Sequence, residues 1–153
     1  MHSGSIVVPS PLGPLTLFAV DGEIVALEWG KGADDSTPPP VLQEAARQLE
    51  AYFDGKRRDF DLPLNPHGTV FQQKVWDAMR RIPCGETRSY GEIAREIGCG
   101  APRPIGGACG KNPIPVIIPC HRILGSGKSF GGYSGEGGLD TKRWLLRLEG
   151  ALP

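Results

Sequence analysis

Charge of one sign is what this sequence most plainly lacks: 17 lysines and arginines are matched by 17 aspartates and glutamates in 153 residues. A chain without net charge has no global basic field to draw in a polyanion, so any nucleic-acid contact must rest on a local patch. Long apolar runs are also missing. None approaches the ~20 residues that a membrane helix needs, and residues 1–10 lack the basic-then-apolar layout of a leader. The expectation is a soluble, cytoplasmic protein with no membrane partner. Histidine is scarce, with His2, His67 and His121 far apart, and no Cys-x-x-Cys pair occurs. A zinc site would have no ligand set, so no metal is expected. Cys84, Cys99, Cys109 and Cys120 are spaced 15, 10 and 11 apart. With no secretion signal they read as free thiols rather than a disulfide framework, and most free cysteines are small buried hydrophobes.

Glycine and proline are abundant, at 22 and 15 residues, yet they fall mostly between periodic segments, which predicts a fold rich in turns. Hydrophobic residues at 39% and charged residues at 22% are ordinary for a globular chain that buries about two-thirds of its surface. The zero balance hides an asymmetry. Residues 1–65 hold 5 basic and 10 acidic side chains, residues 66–153 hold 12 and 7. Basic character is therefore concentrated in the C-terminal part.

Ile6 to Val8, then Leu15, Leu17 and Ala19, then Ile24 to Trp29 read as strands, with Asp21-Gly22 as a hairpin turn. Val41 to Asp54 is a predicted helix with Val41, Ala45, Leu49 and Phe53 on its apolar face. Lys56 to Pro66 reads as a proline-punctuated linker, placing the domain boundary between 1–65 and 66–153. Thr69 with Gln72, and Ser89 with Glu92, are capping boxes opening two further helices. The first carries the stripe Phe71, Val75, Met79 and Ile82, and the second turns Ile93, Ala94 and Ile97 inward. A short helix starting near Pro102 or Pro104 completes the pattern of a helix-turn-helix, although any αα corner has the same one. Pro115 to Pro119 reads as a buried extended run. The final helix spans about Asp140 to Glu149 and buries Trp144, Leu145 and Leu148. The fold class is α/β (α+β): a small sheet with a helix, then a helical domain.

Pro119-Cys120-His121-Arg122 is the segment with chemical content. A thiol reacts as thiolate, and a neighbouring imidazole or cation favours that form. In a straight strand Cys120 and His121 would face opposite ways, so the histidine serves the thiol only if the chain turns there or a water bridges them. Alone, a Cys-His pair is weak support for catalysis.

The surroundings add more. Asn112-Pro113 before that quartet, with Arg103-Pro104-Ile105-Gly106-Gly107-Ala108, resembles the signature of the O6-alkylguanine-DNA alkyltransferases, the methylated-DNA–protein-cysteine methyltransferases. Gly85 to Tyr90, Gly131 to Gly135 and Trp144 to Gly150 resemble the family's other segments in the same order. The resemblance implies direct, single-turnover repair with no cofactor and with alkylated double-stranded DNA as partner, by a monomer that needs no protein partner. Cys120 would accept the alkyl group, His121 would act as base through a water, Glu149 would orient His121, and Asn112 would hold the turn. Tyr90, Tyr133 and Ser134 would line the pocket for a flipped guanine, and Arg103 would fill its place in the stack. Ser89, Gly106, Gly107, Lys111 and Arg122 would join Arg103 in contacting DNA through the minor groove. Two departures stand out. Pro104 occupies a place usually held by a small residue, and Gly135 to Gly138 lengthen the pocket loop. A helix-turn-helix regulator, the main rival from another class, would leave Cys120, His121 and Glu149 idle.

Overall fold

The computed structural model describes residues 3–125 and 138–153. The chain divides into two compact units, residues 1–67 and 68–153.

In the first unit, strands β1 (Ser3–Val8), β2 (Leu15–Val20) and β3 (Glu23–Trp29) form an antiparallel sheet in the order β1-β2-β3. The expected hairpin is present. Val20 pairs with Glu23 across Asp21 and Gly22, whose φ values of 49° and 82° are those of a type I′ turn. Helix α1 (Pro40–Phe53) packs on the sheet and starts on a proline, whose missing N–H is no loss in the first turn. Its buried face is set one residue round from the predicted stripe: Leu42, Ala45, Gln48, Leu49, Tyr52 and Phe53 are buried, and Val41 is only half-buried. Buried Gln48 is satisfied because its amide exchanges two hydrogen bonds with the backbone of Asp61.

That pairing corrects the reading of residues 56–66 as a linker. Beyond Asp61 the chain runs parallel to β3: Ile24 donates to the Pro63 carbonyl, and Asn65 donates to that of Ile24, each at 2.8 Å. Prolines suit such an edge because one side of the segment needs no donor.

The second unit holds α2 (Val70–Arg80), β4 (Arg88–Ser89), α3 (Tyr90–Glu96), α4 (Arg103–Gly110), β5 (Ile123–Leu124) and α5 (Leu139–Leu148). Both capping boxes form in full. Gln72 and Glu92 each receive a side-chain cap at the backbone N–H and return one to Thr69 and Ser89. Buried Val75, Trp76, Ala78 and Met79 form the inner face of α2, with Phe71 only half-buried, and the Trp76 indole donates to the Ala108 carbonyl of α4 at 2.9 Å. Ile97, expected to face inward, is half-buried as the cap that ends α3. β4 and β5 form a two-residue parallel ladder that joins the start of α3 to the segment after Cys120.

Two further expectations change. The run Pro115 to Pro119 is buried but turned, not extended: Ile118 donates back to the Ile114 carbonyl, and Val116 has φ 74°. A β-branched residue in that region costs roughly 1–3 kcal/mol, which surrounding contacts must offset. On α5 the buried residues are Thr141, Lys142, Leu145 and Leu146, while Trp144 and Leu148 are half-buried. Leu145 and Leu146 share the i, i+3, i+4, i+7 series with Lys142 and Glu149, so the core stripe carries a charge at each end.

Candidate active site

The turn that carries Cys120 is assembled from short-range hydrogen bonds. Around Pro119 (φ −83°, ψ 69°) the chain makes an inverse γ-turn, with the Cys120 amide donating to the Ile118 carbonyl at 2.8 Å. Cys120–Arg122 then form one turn of 3₁₀-helix, closed by the Ile123 amide donating to the Cys120 carbonyl. The chain therefore bends where the Cys-His pair requires it to. Asn112 holds the preceding segment from both ends: its amide donates to the Ile118 carbonyl at 2.8 Å and its oxygen accepts from the Ile114 N–H at 3.0 Å. The Ile118 carbonyl, shared by Asn112 and Cys120, ties the two together.

Cys120, His121 and Arg122 are all buried. Glu149 meets them from the end of α5, where Gly150 adopts φ 82°. The Gly150 and Ala151 amides fold back onto the Arg147 and Leu146 carbonyls, which ends the helix with Glu149 as its cap. Glu149 Oε2 lies 2.7 Å from His121 Nε2. Arg122 donates to Oε1 through Nε at 2.8 Å, to Oε2 through Nη2 at 2.9 Å, and to the Ile82 carbonyl through Nη1 at 2.7 Å.

Burial pushes the Glu149 carboxyl up, but hydrogen bonds from His121 and Arg122 and their charges outweigh it and hold the group well below the usual carboxylate range. Burial lowers the His121 pKa, and Glu149, pulling the other way, does not restore it. A neutral imidazole beside an ionised carboxylate donates from Nε2, which leaves the lone pair on Nδ1. Among the described residues Nδ1 has no hydrogen-bond partner. The site thus holds a thiol and an oriented base in neighbouring positions of one tight turn.

Tyr90, the first residue of α3, is half-buried, and its ring lies over α4, where a Cβ on Gly106 would meet it at 3.8 Å. Burial, then the Cys109 and Cys120 thiols, push its pKa to about 12, so it stays a proton donor at neutral pH. Arg103, Gly107 and Lys111 are exposed on or just after α4, and Gly106 is half-buried. The Ser89 hydroxyl is engaged as the cap of α3. Arg122, expected among the DNA contacts, has a buried guanidinium that donates to Glu149 and to the Ile82 carbonyl. Tyr133 and Ser134 lie outside the described residues. Sequence reasoning missed the burial of Arg122 and Lys142. For Lys142 a signal existed in its place on the apolar stripe of α5; for Arg122 there was none.

Comparison with known proteins agrees with this layout. Residues 5–66 match the family described as 6-O-methylguanine DNA methyltransferase, ribonuclease-like domain, and residues 70–151 match its DNA binding domain. The methylated-DNA–protein-cysteine methyltransferase of Methanosarcina mazei is 52% identical over 94% of each chain. That of Mycobacterium tuberculosis is 46% identical over 93% of this chain and 89% of its own. The chain belongs to the methylated-DNA–protein-cysteine methyltransferase family. Solved structures concur. The M. tuberculosis O6-methylguanine methyltransferase superposes with a TM-score of 0.85 at 43% identity, covering 99% of this chain and 96% of that one. A second structure, M. tuberculosis OGT in complex with DNA, gives 0.84 at 47% identity, covering 96% and 92%. This methyltransferase family member thus has a mixed α+β architecture, with the Cys120 turn in its helical part. Among its described residues no helix is long and apolar enough to cross a membrane.

Proposed function

We propose that this protein repairs O6-alkylguanine in double-stranded DNA in the cytoplasm by taking the alkyl group onto Cys120, once per molecule. The observation that carries the reading is the buried Cys120–His121–Glu149 arrangement, with His121 bonded to Glu149 at Nε2 and its Nδ1 lone pair left to accept a proton. His121 takes the Cys120 proton through one water, with Glu149 stabilising the imidazolium that results. The thiolate attacks the alkyl carbon, the carbon–oxygen bond breaks, and its electron pair leaves on guanine O6. Tyr90 donates a proton to the departing base. The carbon–sulfur bond of a thioether is not readily broken, so the protein does not turn over.

The target carbon is inside the duplex, so the guanine must be extruded. Arg103, exposed at the first position of α4, enters the vacated place. Gly106 and Gly107, without side chains, let the backbone approach, and Lys111 contacts phosphate, as does Ser89 at the start of α3. Tyr133 and Ser134 line the base pocket. We place the reaction in residues 66–153 and assign 1–65 to a separate N-terminal domain. All groups named lie on one chain, so a monomer suffices. The test is direct: incubate the protein with a duplex containing O6-methylguanine and weigh it intact. A gain of one methyl, mapped to Cys120 and absent in Cys120→Ser, is expected. A modified Cys84, Cys99 or Cys109, or repaired lesions outnumbering protein molecules, would refute the reading.

A further inference from the structure

Tyr90 occupies the first position of α3, a helix of only seven residues. So short a helix is marginal by itself, and its end residues are the first to fray. The residue assigned to protonate the departing base therefore stands where its own helix is weakest. Two devices meet at its neighbour Ser89. In the β4–β5 ladder Ser89 pairs with Leu124, on the segment that follows Cys120. In the capping box the Ser89 hydroxyl accepts from the Glu92 N–H at 3.0 Å, and the Ser89 N–H donates to Glu92 Oε1 at 2.9 Å.

The ladder fixes Ser89 against the segment of the thiol, and the box fixes α3 against Ser89. Tyr90 lies between these two fixings, with its ring over Gly106 of α4. Glu92 itself is exposed, so removing its carboxylate opens no cavity. The Ser89 N–H is the main cause that holds this carboxyl below its usual range. The chain also carries its own comparison. Thr69 and Gln72 close the same box on α2, where the first helical residue is Val70, 77% exposed. There an amide makes the bond that a carboxylate makes at Ser89.

We propose that Glu92 is a positioning residue for alkyl transfer: by closing the box on Ser89 it holds the first turn of α3, and so keeps Tyr90 aimed at the departing base. The inference rests on the function proposed above. Glu92 acts through Tyr90 and makes no bond to the substrate.

In single-turnover reactions, Glu92→Ala should transfer the alkyl group about fivefold more slowly from duplex and from free O6-alkylguanine alike. A loss shared by both substrates separates Glu92 from Arg103, whose loss is confined to duplex. Glu92→Gln, which restores the box in the form found at Gln72, should react within about twofold of wild type. Gln72→Ala removes the equivalent bond from α2 and should lower the melting temperature while leaving both rates in place. Where Tyr90 is already Phe, adding Glu92→Ala should cost less than about twofold more. A rate equal to wild type in Glu92→Ala, the same slowing in Gln72→Ala, or full additivity with Tyr90→Phe overturns the proposal. Hydrogen exchange reads the first turn without DNA. Protection of the residue-92 amide should fall about fivefold in Glu92→Ala and persist in Glu92→Gln. If wild type takes no alkyl group from either substrate, the proposed function fails. The exchange then still decides whether Glu92 holds the first turn, and unchanged protection in Glu92→Ala overturns that as well.

Discussion

Arg122 grips Glu149 with two hydrogen bonds, Nε to Oε1 at 2.8 Å and Nη2 to Oε2 at 2.9 Å, in a pair almost closed to solvent. Glu149 Oε2 is the atom that also faces His121, so one carboxylate is held from two sides. The pair keeps Glu149 ionised, prevents it from rotating away from the imidazole, and through Ile82 ties it to the end of α2. A glutamate at a helix C-terminus is disfavoured by roughly 0.3–1 kcal/mol, which these contacts outweigh.

Breaking this pair on one side should cost more than removing both partners. Arg122→Met leaves an uncompensated buried carboxylate and should lower stability by about 3–5 kcal/mol, whereas Arg122→Met with Glu149→Leu should recover a large part of that loss. Chemical denaturation of the four proteins in the cycle checks it; a loss in the double variant equal to the sum of the two single losses would mean that the pair is not coupled.

Acid should weaken the protein in two stages. His121 and Glu149 both have folded pKa values below their ordinary ones of 6.5 and 4.5. In each case the unfolded chain binds the proton first, so stability is full above the ordinary value and lost as pH falls. Stability should therefore decline below about pH 6.5 and more steeply below about pH 4.5. Glu149→Gln should flatten the second stage; a melting profile of wild type that stays level from pH 7 to pH 4 would contradict the assignment.

Asn112→Ala removes two hydrogen bonds that hold the chain between Ile114 and Ile118. It leaves the Ile114 N–H without that acceptor in a segment where Val116 is strained, so a loss of about 1–3 kcal/mol is expected, with slower alkyl transfer. Thermal melts and single-turnover rates on one preparation test both parts.

Arg103→Ala should slow repair of duplex DNA far more than reaction with free O6-alkylguanine base, because only the duplex demands extrusion. Equal losses on the two substrates would remove Arg103 from the flipping step.

Gly22→Ala is a control on the first unit. A methyl there meets no atom within 4 Å, so the cost is the positive φ alone, about 1 kcal/mol, and repair should be unchanged.

Local rules made much of this protein legible in its sequence. The Asp21-Gly22 turn, the capping boxes at Thr69 and Ser89, and the helix stop at Gly150 each depend on residues within a few positions, so residue order decides them. Cys120, His121 and Glu149 stood out because their types and order resemble a family. Other features depend on what the chain meets far away. Residues 62–65 look like a linker until β3 offers its edge, and Pro115 to Pro119 look extended until Asn112 bends them. Arg122 reads as one more surface cation in a basic half. Only packing shows that a carboxylate 27 positions later takes its charge out of solvent. The same holds for Lys142, whose place on an apolar stripe marks it as buried but does not say what it faces. Sequence spacing determines which side of a helix a residue occupies; the partner across that side is settled when segments distant in the chain exclude water together.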